Sequence, residues 1–398
     1  MSPTAKHRSG HLVGFVAVLS IAGSAQGQWT VISLNPPGVS SRAYAIDGYQ
    51  QFGSVQMSGS LLTATWNANP MGWTTVGAGE IFASHQGQRV GRINCCFQPH
   101  AALWDGPAGT FINLHPVGTV AEHSSALDVH AGQQVGYIQV FGKKRAYLWT
   151  GSAASRVNLQ PSWALHSVAL GVWDGIQVGW AADASLVPRA GMWSGTAQSW
   201  MDFHPAGTGG SLAYGIHGSQ QVGIVKIGDH YQAGLWTGTP ESWVNLHPPG
   251  AQESWGLAVH SGIQVGFVGI GGGARRASLW RGTPGSWEDL SSYLSGSWGN
   301  TYAHDVWNDG VHIFVAGYGY NNVTGGYEAL LWKSPIGCYA NCDASTVAPV
   351  LNVADFACFL QRFAAGEPYA NCDQSTTEPV LNVADFACFL QKFAAGCE

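Results

Sequence analysis

Short runs of apolar residues, separated by polar or glycine-rich turns, occupy most of the chain. The pattern is clearest in residues 211–250, where the runs AYGI, QVGIVKI, AGLWTG and WVNL are separated by HGSQ, GDHY and GTPES. Short apolar runs bounded by Gly, Asp, Pro and Ser are typical of β-strands joined by tight turns. This stretch therefore predicts four consecutive strands.

The same pattern recurs seven times between residues 28 and 335. A Val-Gly-like pair marks one strand of each repeat, at Phe52-Gly53, Val90-Gly91, Val135-Gly136, Val178-Gly179, Val222-Gly223, Val265-Gly266 and Ala316-Gly317. A tryptophan, usually after Leu, marks the next strand, at Trp66, Trp104, Trp149, Trp193, Trp236, Trp280 and Trp332. Repeats of roughly 44 residues with four strands each are typical of propeller blades. We therefore predict an all-β, seven-bladed propeller over residues 28–335.

The two ends of this region share one repeat. KSPIGC follows Trp332 where a fourth strand is expected, and the run WTVISLNPPG at Trp29 matches the fourth-strand sequence VNLHPPG of residues 244–250. We predict that Thr30–Leu34 pairs into the blade containing Trp332 and closes the ring, which removes exposed sheet edges. An open β-solenoid is the alternative, and the shared last repeat argues against it.

With their Ala-x-Leu-Trp and Asn-Leu marks, the repeats resemble the HAF-type extracellular repeats of secreted bacterial proteins. The resemblance covers residues 28–335. It implies secretion and a propeller-like fold, and it implies no reaction.

Composition agrees with a β-rich secreted protein. Charged residues make up only 10% of the chain, which contains 54 Gly and 18 Trp. The net charge is −6, and no run of Lys and Arg is longer than Lys143-Lys144-Arg145. Nucleic-acid binding therefore has no electrostatic support.

Residues 1–27 read as a secretory signal peptide. Lys6 and Arg8 precede the apolar run LVGFVAVLSIA, and Ala25 and Gly27 are the small residues expected before cleavage at Gln28. An uncleaved anchor is the alternative, although the run is short for a membrane span. We predict a mature protein without a membrane span, secreted or held at the cell surface.

Residues 336–398 carry a second repeat, with a period of 30. The copies that begin at Tyr339 and Tyr369 differ at only four of 28 positions. Each copy offers Asn, Asp and Ser oxygens before an apolar run with helical spacing, such as Phe356, Phe359, Leu360 and Phe363. Oxygen ligands of this kind suit Ca²⁺. We predict a small α-helical, calcium-binding module.

The duplication resembles the type I dockerin repeats, in particular the cysteine-bearing dockerin-like tails of planctomycete secreted proteins. The resemblance implies two Ca²⁺ ions and docking onto a cohesin-like or surface scaffold partner. It places one ion at Asn341, Asp343, Ser345, Asn352 and Asp355 and the other at Asn371, Asp373, Ser375, Asn382 and Asp385. Each loop is longer than an EF-hand loop and offers two carboxylates, which predicts weak binding. In the alternative, these Asn and Asp side chains only cap helices.

Six of the eight cysteines lie in this module, as expected in an oxidising compartment. The repeat symmetry favours the bonds Cys342–Cys358 and Cys372–Cys388, with Cys338–Cys397 as a clasp between the ends. The adjacent Cys95 and Cys96 form a vicinal bridge or stay reduced.

Histidines recur in register within the propeller repeats. His85, His130, His217 and His260 lie six residues before the Val-Gly glycine, and His115, His204 and His247 occupy Leu-His-Pro. Converging histidines suit a metal site. However, Asp47 and Trp173 replace the first set elsewhere, and Asn35 and Gln160 replace the second. Such exchanges favour residues that hydrogen-bond turns over metal ligands.

The chemistry of the propeller is less specific. We interpret the seven recurrent tryptophans as blade core, whereas exposed members of Trp163, Trp173, Trp255, Trp298 and Trp307 would stack on a glycan. Acids occur at Asp128, Asp202, Glu253, Asp289 and Asp305, but their spacing does not pair them, and no catalytic motif is present.

We therefore predict a secreted, non-enzymatic binding protein. The propeller is its recognition surface, with a glycan as the possible ligand, and the dockerin-like module is its calcium-dependent anchor. The alternatives are an extracellular glycoside hydrolase or lyase that acts on polysaccharide, and a structural surface-layer component.

Overall fold

A computed structural model describes residues 29–69, 72–95, 98–106, 110–118, 120–310, 312–335, 339–343, 349–373, 375 and 379–396. Three predicted features fall wholly or partly outside these residues: the signal peptide, the bond Cys338–Cys397 and the pair Cys95 and Cys96. The described residues belong to two compact units, 29–335 and 339–396.

The first unit consists of antiparallel sheets joined by tight turns. Its strands are β1 (Thr30–Ser33), β2 (Ser40–Asp47), β3 (Gln50–Met57), β4 (Ser60–Trp66), β5 (Glu80–His85), β6 (Gln88–Cys95), β7 (Gln98–Trp104), β8 (Ile112–Asn113), β9 (Ala121–His130), β10 (Gln133–Val140), β11 (Lys143–Trp149), β12 (Val157–Asn158), β13 (His166–Trp173), β14 (Ile176–Ala182), β15 (Arg189–Trp193), β16 (Met201–Asp202), β17 (Ser211–His217), β18 (Gln220–Ile227), β19 (His230–Trp236), β20 (Val244–Asn245), β21 (Glu253–His260), β22 (Ile263–Gly269), β23 (Arg275–Trp280), β24 (Glu288–Asp289), β25 (Trp298–Asn308), β26 (His312–Asn321) and β27 (Gly326–Pro335).

Seven sheets follow one another around a ring. Each is a run of neighbouring strands, in the orders β2-β3-β4, β5-β6-β7-β8, β9-β10-β11-β12, β13-β14-β15-β16, β17-β18-β19-β20, β21-β22-β23-β24 and β25-β26-β27-β1. The first strand of every sheet touches the first strand of the next, and β25 touches β2. The unit is therefore a seven-bladed propeller, as predicted.

The last blade contains both ends of the propeller. β1 pairs with β27, so that Thr30 lies opposite Lys333 and Ser33 lies opposite Leu330. Trp29 is buried, and its indole Nε1–H donates to Glu288 Oε1 over 2.6 Å. The predicted closure by the N-terminal strand is confirmed.

The first blade departs from the expected four strands. Its sheet contains β2, β3 and β4, and the described residues form no fourth strand there. Two isolated bridges, Leu62 with Ala78 and Thr65 with Thr74, pair with β4 instead. In the other blades before the last, the fourth strand is only two residues long. In the blades that have a fourth strand, the edge strand is therefore two to four residues long, which limits pairing with other chains.

A β-bulge in the innermost strand explains the Val-Gly marks. Each innermost strand shifts register by one residue opposite its marked glycine, as between Ala213 and Gly215 opposite Gly223. A Cβ added to Gly223 would lie 1.9 Å from the Leu212 carbonyl oxygen. The other six marked glycines have the same contact, at 1.8–2.0 Å. Only glycine fits, because the bulge brings two backbones together.

The seven recurrent tryptophans form the blade core, as predicted. All are at most 1% exposed. Trp149 in the third blade packs among Val90, Leu103 and Leu114 of the second and donates from Nε1 to the Leu114 carbonyl oxygen over 3.1 Å. These side chains therefore join neighbouring sheets as well as filling them.

Buried hydroxyl groups also join neighbouring blades. A hydroxyl near the start of an innermost strand accepts a hydrogen bond from the alanine N–H of the previous blade's Ala-x-Leu-Trp segment, which is Ala-Gly-Met-Trp at Ala190, in the pairs Ser124–Ala101, Ser167–Ala146, Ser211–Ala190, Ser254–Ala233, Thr301–Ala277 and Ser41–Ala329. The same hydroxyls also bond, respectively, to His115, Gln160, His204, His247, Ser291 and Asn35. His, Asn and Gln exchange at this position because each can accept the hydroxyl proton.

Removing one of these hydroxyls should weaken the propeller. In Ser211→Ala, the buried Ala190 N–H and His204 Nδ1, which lie 2.9 and 2.7 Å from Ser211 Oγ, lose their partner. An unsatisfied buried group costs about 1–3 kcal/mol. We expect this loss in the free energy of unfolding, measured by urea denaturation. Ser211→Thr, which copies Thr301, should retain most of the stability, and the exposed turn variant Ser219→Ala is the control. Equal stability of Ser211→Ala and the parent would contradict the expectation.

The second unit is a pair of loop–helix repeats. Its helices are α1 (Val353–Ala364) and α2 (Val383–Ala395). The disulfides Cys342–Cys358 and Cys372–Cys388 join each loop to its own helix, as predicted. Cys342 and Cys372 form the core together with two Ala and the two fully buried rings Phe359 and Phe389, and the other two cysteines pack against it.

The contacts of this core have near-twofold symmetry. Phe359 stacks on Phe389 at 4.2 Å, and Tyr339 stacks on Tyr369 at 4.8 Å. Each tyrosine hydroxyl donates to the backbone carbonyl oxygen of the other tyrosine. The repeats therefore pack mainly on each other. Leu360 was expected in the buried stripe and is instead 51% exposed. The core contacts of this helix are made by Phe356, Phe359 and Phe363.

No helix among the described residues is long and apolar enough to cross a membrane. The remaining short helices are 3₁₀ turns at Ala153–Ser155, Ala197–Ser199, Pro240–Ser242, Pro284–Ser286, Leu290–Tyr293 and Pro368–Ala370. The first four follow the third strand of their blades and lead into the fourth.

Candidate functional site

The propeller contains a central cavity of about 370 Å³. All seven innermost strands contribute to its wall. The size lies at the lower end of the range for small-molecule sites. The geometry of each innermost strand determines which side chains line it.

The bulges supply one layer of the wall. The residue that each bulge leaves unpaired lines the cavity, and the seven residues of this bulge ring are Tyr44, Phe82, Leu127, Leu170, Tyr214, Leu257 and His304. The members of this layer share no residue type, so the repeat pattern did not predict it. In six blades the bulge residue lies nine positions before the marked glycine, which is the signal that identifies it.

The ends of the innermost strands supply a second layer, which we call the mouth ring. Its members are Asp47, His85, His130, Trp173, His217, His260 and Trp307. It unites the first set of recurrent histidines with two of the tryptophans named for glycan stacking. Trp307 does not share the six-residue spacing of the histidines to the marked glycine, because the hairpin of the last blade is longer.

Five aromatic rings of the mouth ring form a continuous arc. His85 and His130 lie 4.2 Å apart, and Trp173 lies 4.0 Å from His130 and 4.1 Å from His217. His260 ends the arc, 4.2 Å from His217. The arc thus presents imidazole and indole rings over five successive blades.

Backbone hydrogen bonds hold several of these side chains. Turn N–H groups of the next blade donate to Asp47 Oδ2 from Gly87 over 3.3 Å, to His130 Nδ1 from Asp174 over 3.1 Å and to His217 Nδ1 from Ser261 over 3.3 Å. The exchange of Asp for His in the repeats follows, since both accept such a bond. Nδ1 acceptance assigns the imidazole proton to Nε2.

Burial keeps the imidazoles of the mouth ring neutral. It lowers the pKa of His85, His130 and His217, and it lowers the pKa of His260 to about 4 with help from neighbouring His217. Deeper in the wall, burial lowers the pKa of His304 to about 4. Desolvation disfavours the charged imidazolium, so the arc carries little positive charge at neutral pH.

Two carboxyl groups lie beside the bulge ring. Asp128 accepts hydrogen bonds from its neighbour Val129 over 2.8 Å and from Val172 N–H in the next blade over 2.7 Å. Asp305 does the same with Val306 over 2.8 Å and with Ile46 over 2.9 Å. Burial raises the pKa of each to about 7, against the opposing effect of the amide bonds. Both groups join blades and face the cavity.

The other acids considered from sequence are not in the cavity wall. They form ion pairs, Asp202 with Arg189 at 2.5 Å, Glu253 with Arg275 at 2.7 Å and Asp289 with Arg276 at 3.6 Å. Only Asp128 and Asp305 of that group are brought together by the fold. Asp47, a mouth-ring residue, is the third carboxylate of the wall.

The five tryptophans considered for glycan stacking divide into three groups. Trp173 and Trp307 line the cavity. Trp163 is 44% exposed and lies elsewhere, beside Trp200. Trp255 and Trp298 are half-buried against neighbouring side chains such as Phe267. Two of the five tryptophans, Trp173 and Trp307, therefore lie at the channel mouth, and the other three lie outside the cavity wall.

Within the described part of the chain, no three His, Cys, Asp or Glu side chains are grouped as a metal site requires. In the mouth ring, the imidazole of His85 packs against that of His130, and the imidazole of His217 packs against that of His260. The two calcium sites predicted in the C-terminal module contain only two carboxylates each, so they do not form a group of three such side chains.

The loop–helix repeats bring some predicted calcium ligands together. Asp343 N–H donates to Asp355 Oδ1, and Asp373 N–H donates to Asp385 Oδ1, each over 3.2 Å. Ser375 N–H donates to Asp373 Oδ1 over 2.9 Å. Ser345 lies outside the described residues.

Asn352 and Asn382 begin the two helices. The Oδ1 atom of each accepts a hydrogen bond from the backbone N–H two residues later, over 2.8 Å. Asp355 and Asp385 complete the capping boxes by accepting from the Asn352 and Asn382 N–H groups. These are the contacts of the capping alternative, and the role of the same residues in calcium binding stays a prediction.

One polar atom of the second loop differs from its neighbours. Asn371 Oδ1 is buried and has no hydrogen-bond partner among the described residues, although its Nδ2 donates to the Ser375 carbonyl oxygen over 2.9 Å. Burial acts to raise the pKa of Asp385, but backbone N–H groups, chiefly of Asn382 and Asp373, hold this pKa below its ordinary value. An amide oxygen with no described partner, in the same loop as the carboxyl groups of Asp373 and Asp385, fits Ca²⁺, so the residues present suit the ion.

No protein-family model matches the chain, and no curated protein matches it. Solved structures do resemble it. Oligogalacturonate lyase in complex with manganese superposes with a TM-score of 0.51 at 13% sequence identity, over 78% of this chain and 99% of the lyase chain. At this identity the likeness shows the fold alone.

Two other solved structures are similar at lower TM-scores. TolB from Acinetobacter baumannii matches with a TM-score of 0.43 at 11% identity, over 62% of both chains. Puromycin hydrolase matches with a TM-score of 0.48 at 14% identity, over 76% of this chain and 56% of the hydrolase chain. The match therefore spans less than two thirds of the length of either protein.

Proposed function

We propose that this chain is a secreted binding protein whose propeller recognises a glycan at the channel mouth and whose C-terminal module anchors it. The cavity of about 370 Å³ behind the mouth ring is the observation that carries the proposal. Convergent polar groups in a well-formed pocket are the usual mark of a ligand site. The two disulfides and the predicted signal peptide support secretion.

The aromatic arc suits a sugar ring. Sugars bury their C–H faces against aromatic rings while their hydroxyls bond to polar groups at the edge. Trp173 supplies the largest ring of the arc, between His130 and His217. The Nε2–H groups of the two histidines are donors for hydroxyl oxygens. The mouth ring thus offers stacking and hydrogen bonding together.

Replacing the central ring of the arc should abolish most glycan binding. A polysaccharide and glycan array on the full chain first identifies ligands, and titration calorimetry then measures affinity. For Trp173→Ala we expect about 30-fold weaker binding, equivalent to about 2 kcal/mol for an aromatic anchor.

Trp163→Ala is the matched control, because Trp163 is exposed and lies outside the cavity. It should bind as the parent does. The proposal is wrong if no glycan binds, or if Trp163→Ala loses binding while Trp173→Ala keeps it.

The C-terminal module supports the anchoring part of the proposal. Val353 and Val383 begin the two helices and are 82% and 81% exposed, and Leu360 and Leu390, about two helical turns later, remain 51% and 39% exposed. The two halves therefore carry the same apolar residues at equivalent positions. A cohesin-like or surface scaffold partner could dock on either half by burying this face.

Calcium should bind to this module at two sites. We expect weak binding by the full chain, with dissociation constants on the order of 10⁻⁴–10⁻³ M as in other extracellular modules. Asp373→Asn removes a carboxylate beside Asn371 and should eliminate one site in titration calorimetry. Asp229→Asn, in an exposed propeller turn, is the control for the change in charge. Absence of a binding signal at millimolar Ca²⁺ would refute the calcium proposal.

An enzyme that acts on polysaccharide is the second candidate. Asp128 and Asp305 favour it, because they share the cavity and both have a pKa raised to about 7. Against it, both carboxylates already accept amide hydrogen bonds that join blades. Release of reducing or unsaturated ends from a bound polysaccharide, abolished in Asp305→Asn, would establish the enzyme instead.

A further inference from the structure

The charges of the cavity wall are of one sign. Asp47, Asp128 and Asp305 line it, and no Lys or Arg is among its described lining residues. The mouth-ring imidazoles do not supply the missing positive charge, because burial lowers their pKa. When the carboxyl groups ionise, the cavity therefore has a negative potential.

The carboxylates are only partly compensated by the protein. Asp128 and Asp305 each accept two backbone N–H bonds, one on each oxygen. Asp47 Oδ2 accepts from Gly87 N–H and from Ser84 Oγ–H, at 3.3 and 3.4 Å. Each carboxylate has more lone pairs than these donors use. A bound neutral molecule would remove water from these charges without replacing it by a cation, which is costly.

The positions of the acids and rings suggest where a cation would lie. Asp47 interrupts the aromatic mouth ring between His85 and Trp307, and Asp305 lies in the same blade as Trp307. Trp173 lies three blades away from Asp47 in the same ring, and Asp128 lies in the blade of His130. An ammonium group beside Asp47 and Asp305 would meet carboxylates and the faces of aromatic rings, both of which attract cations.

We propose that the channel mouth binds a saccharide unit with a free ammonium group, that is, a non-acetylated amino sugar. The C–H face of the sugar packs on the arc, and its ammonium group lies against the carboxylates. This inference rests on the proposed glycan-binding function and adds the charge of the ligand. It predicts discrimination between sugars that differ only at one nitrogen.

Titration calorimetry on the full chain tests this with four probes: glucosamine, N-acetylglucosamine, glucose and ethanolamine. We expect glucosamine to bind at least tenfold more tightly than each of the others, a difference of about 1.4 kcal/mol. The neutral sugars lack the charge, and ethanolamine lacks the ring.

Asp47→Asn should remove most of the preference for glucosamine while sparing residual sugar binding. It is a mild change, because one oxygen of Asp47 accepts both described bonds and Asn retains one such acceptor. Asp305→Asn is the second variant, and its melting curve shows whether the blade contact survives. Asp229→Asn, exposed and outside the cavity, is the matched control and should keep the preference.

The outcomes separate the two proposals. If glucose or N-acetylglucosamine binds as tightly as glucosamine, the ammonium proposal is wrong and glycan binding stands. If ethanolamine binds as tightly as glucosamine, the sugar part is wrong. If no probe and no arrayed glycan binds, both proposals fail. Retention of the full preference by folded Asp47→Asn and Asp305→Asn variants would also overturn the inference.

Discussion

Deleting residues 29–38 should open the ring and destabilise the propeller by at least about 5 kcal/mol. The deletion removes the whole of β1, with Trp29 5% exposed and Leu34 fully buried. Truncating a buried Trp typically costs about 3–5 kcal/mol and a buried Leu about 2–5 kcal/mol. The edge of β27 also loses its four paired residues. We expect a sharply lower melting temperature and, because a bare edge pairs readily, self-association in size-exclusion chromatography.

Single variants separate burial from strand pairing. Trp29→Ala removes the indole and its bond to Glu288, and Leu34→Ala opens a cavity between the last and first blades. Each substitution should lower the free energy of unfolding by part of the loss expected for the deletion. Thr30→Ala, at an exposed position of the same strand, should have almost no effect. A truncated chain that melts like the parent would show that β1 does not close the ring.

Removing the two described disulfides should unfold the C-terminal module. Each joins cysteines 16 residues apart, and closing such a loop is worth about 3 kcal/mol. A core in a unit this small rarely supplies more than about 3–5 kcal/mol. Loss of about 6 kcal/mol therefore exceeds what the stacked Phe359 and Phe389 can offset. The test is to replace the four cysteines of these two bonds by Ala and to map chymotrypsin cleavage by mass spectrometry.

New cleavage sites should appear within residues 339–396 and not within residues 29–335, because the propeller core does not depend on these bonds. The two variants that each lack one bond should be equally and less severely affected, since the repeats are nearly identical. High calcium should protect them partly, by binding the folded form. Protection of the four-cysteine variant equal to that of the parent would refute the expectation.

The hydroxyl contacts between blades explain why the repeat marks are readable. The alanine of Ala-x-Leu-Trp donates its N–H to the next blade, and the position occupied by His204 or Gln160 accepts the hydroxyl proton. Each mark is therefore a contact that must be made again at nearly every blade boundary. The second blade has Gly79 where the other six have Ser or Thr, so no side-chain hydroxyl is available at its boundary with the first blade. The first blade is also the one whose sheet has three strands.

The sequence by itself determined the features that repeat. Seven marked glycines gave the blade count, because a bulge excludes a Cβ at each of them. The orphan strand at Thr30 predicted closure, and the symmetry of the cysteines predicted two disulfides. In each case a local steric or pairing requirement is met by a particular residue type at a particular spacing.

Only the tertiary structure decided which side chains share the channel. Asp128 and Asp305 are 177 residues apart, and nothing local relates them. The bulge ring mixes Tyr, Phe, Leu and His, because a cavity wall needs no common residue type. The sequence placed Trp307 outside the register of the histidines, whereas ring closure brings it into the mouth ring beside Asp47. Convergence on the axis is a property of the closed ring, and no single repeat contains it.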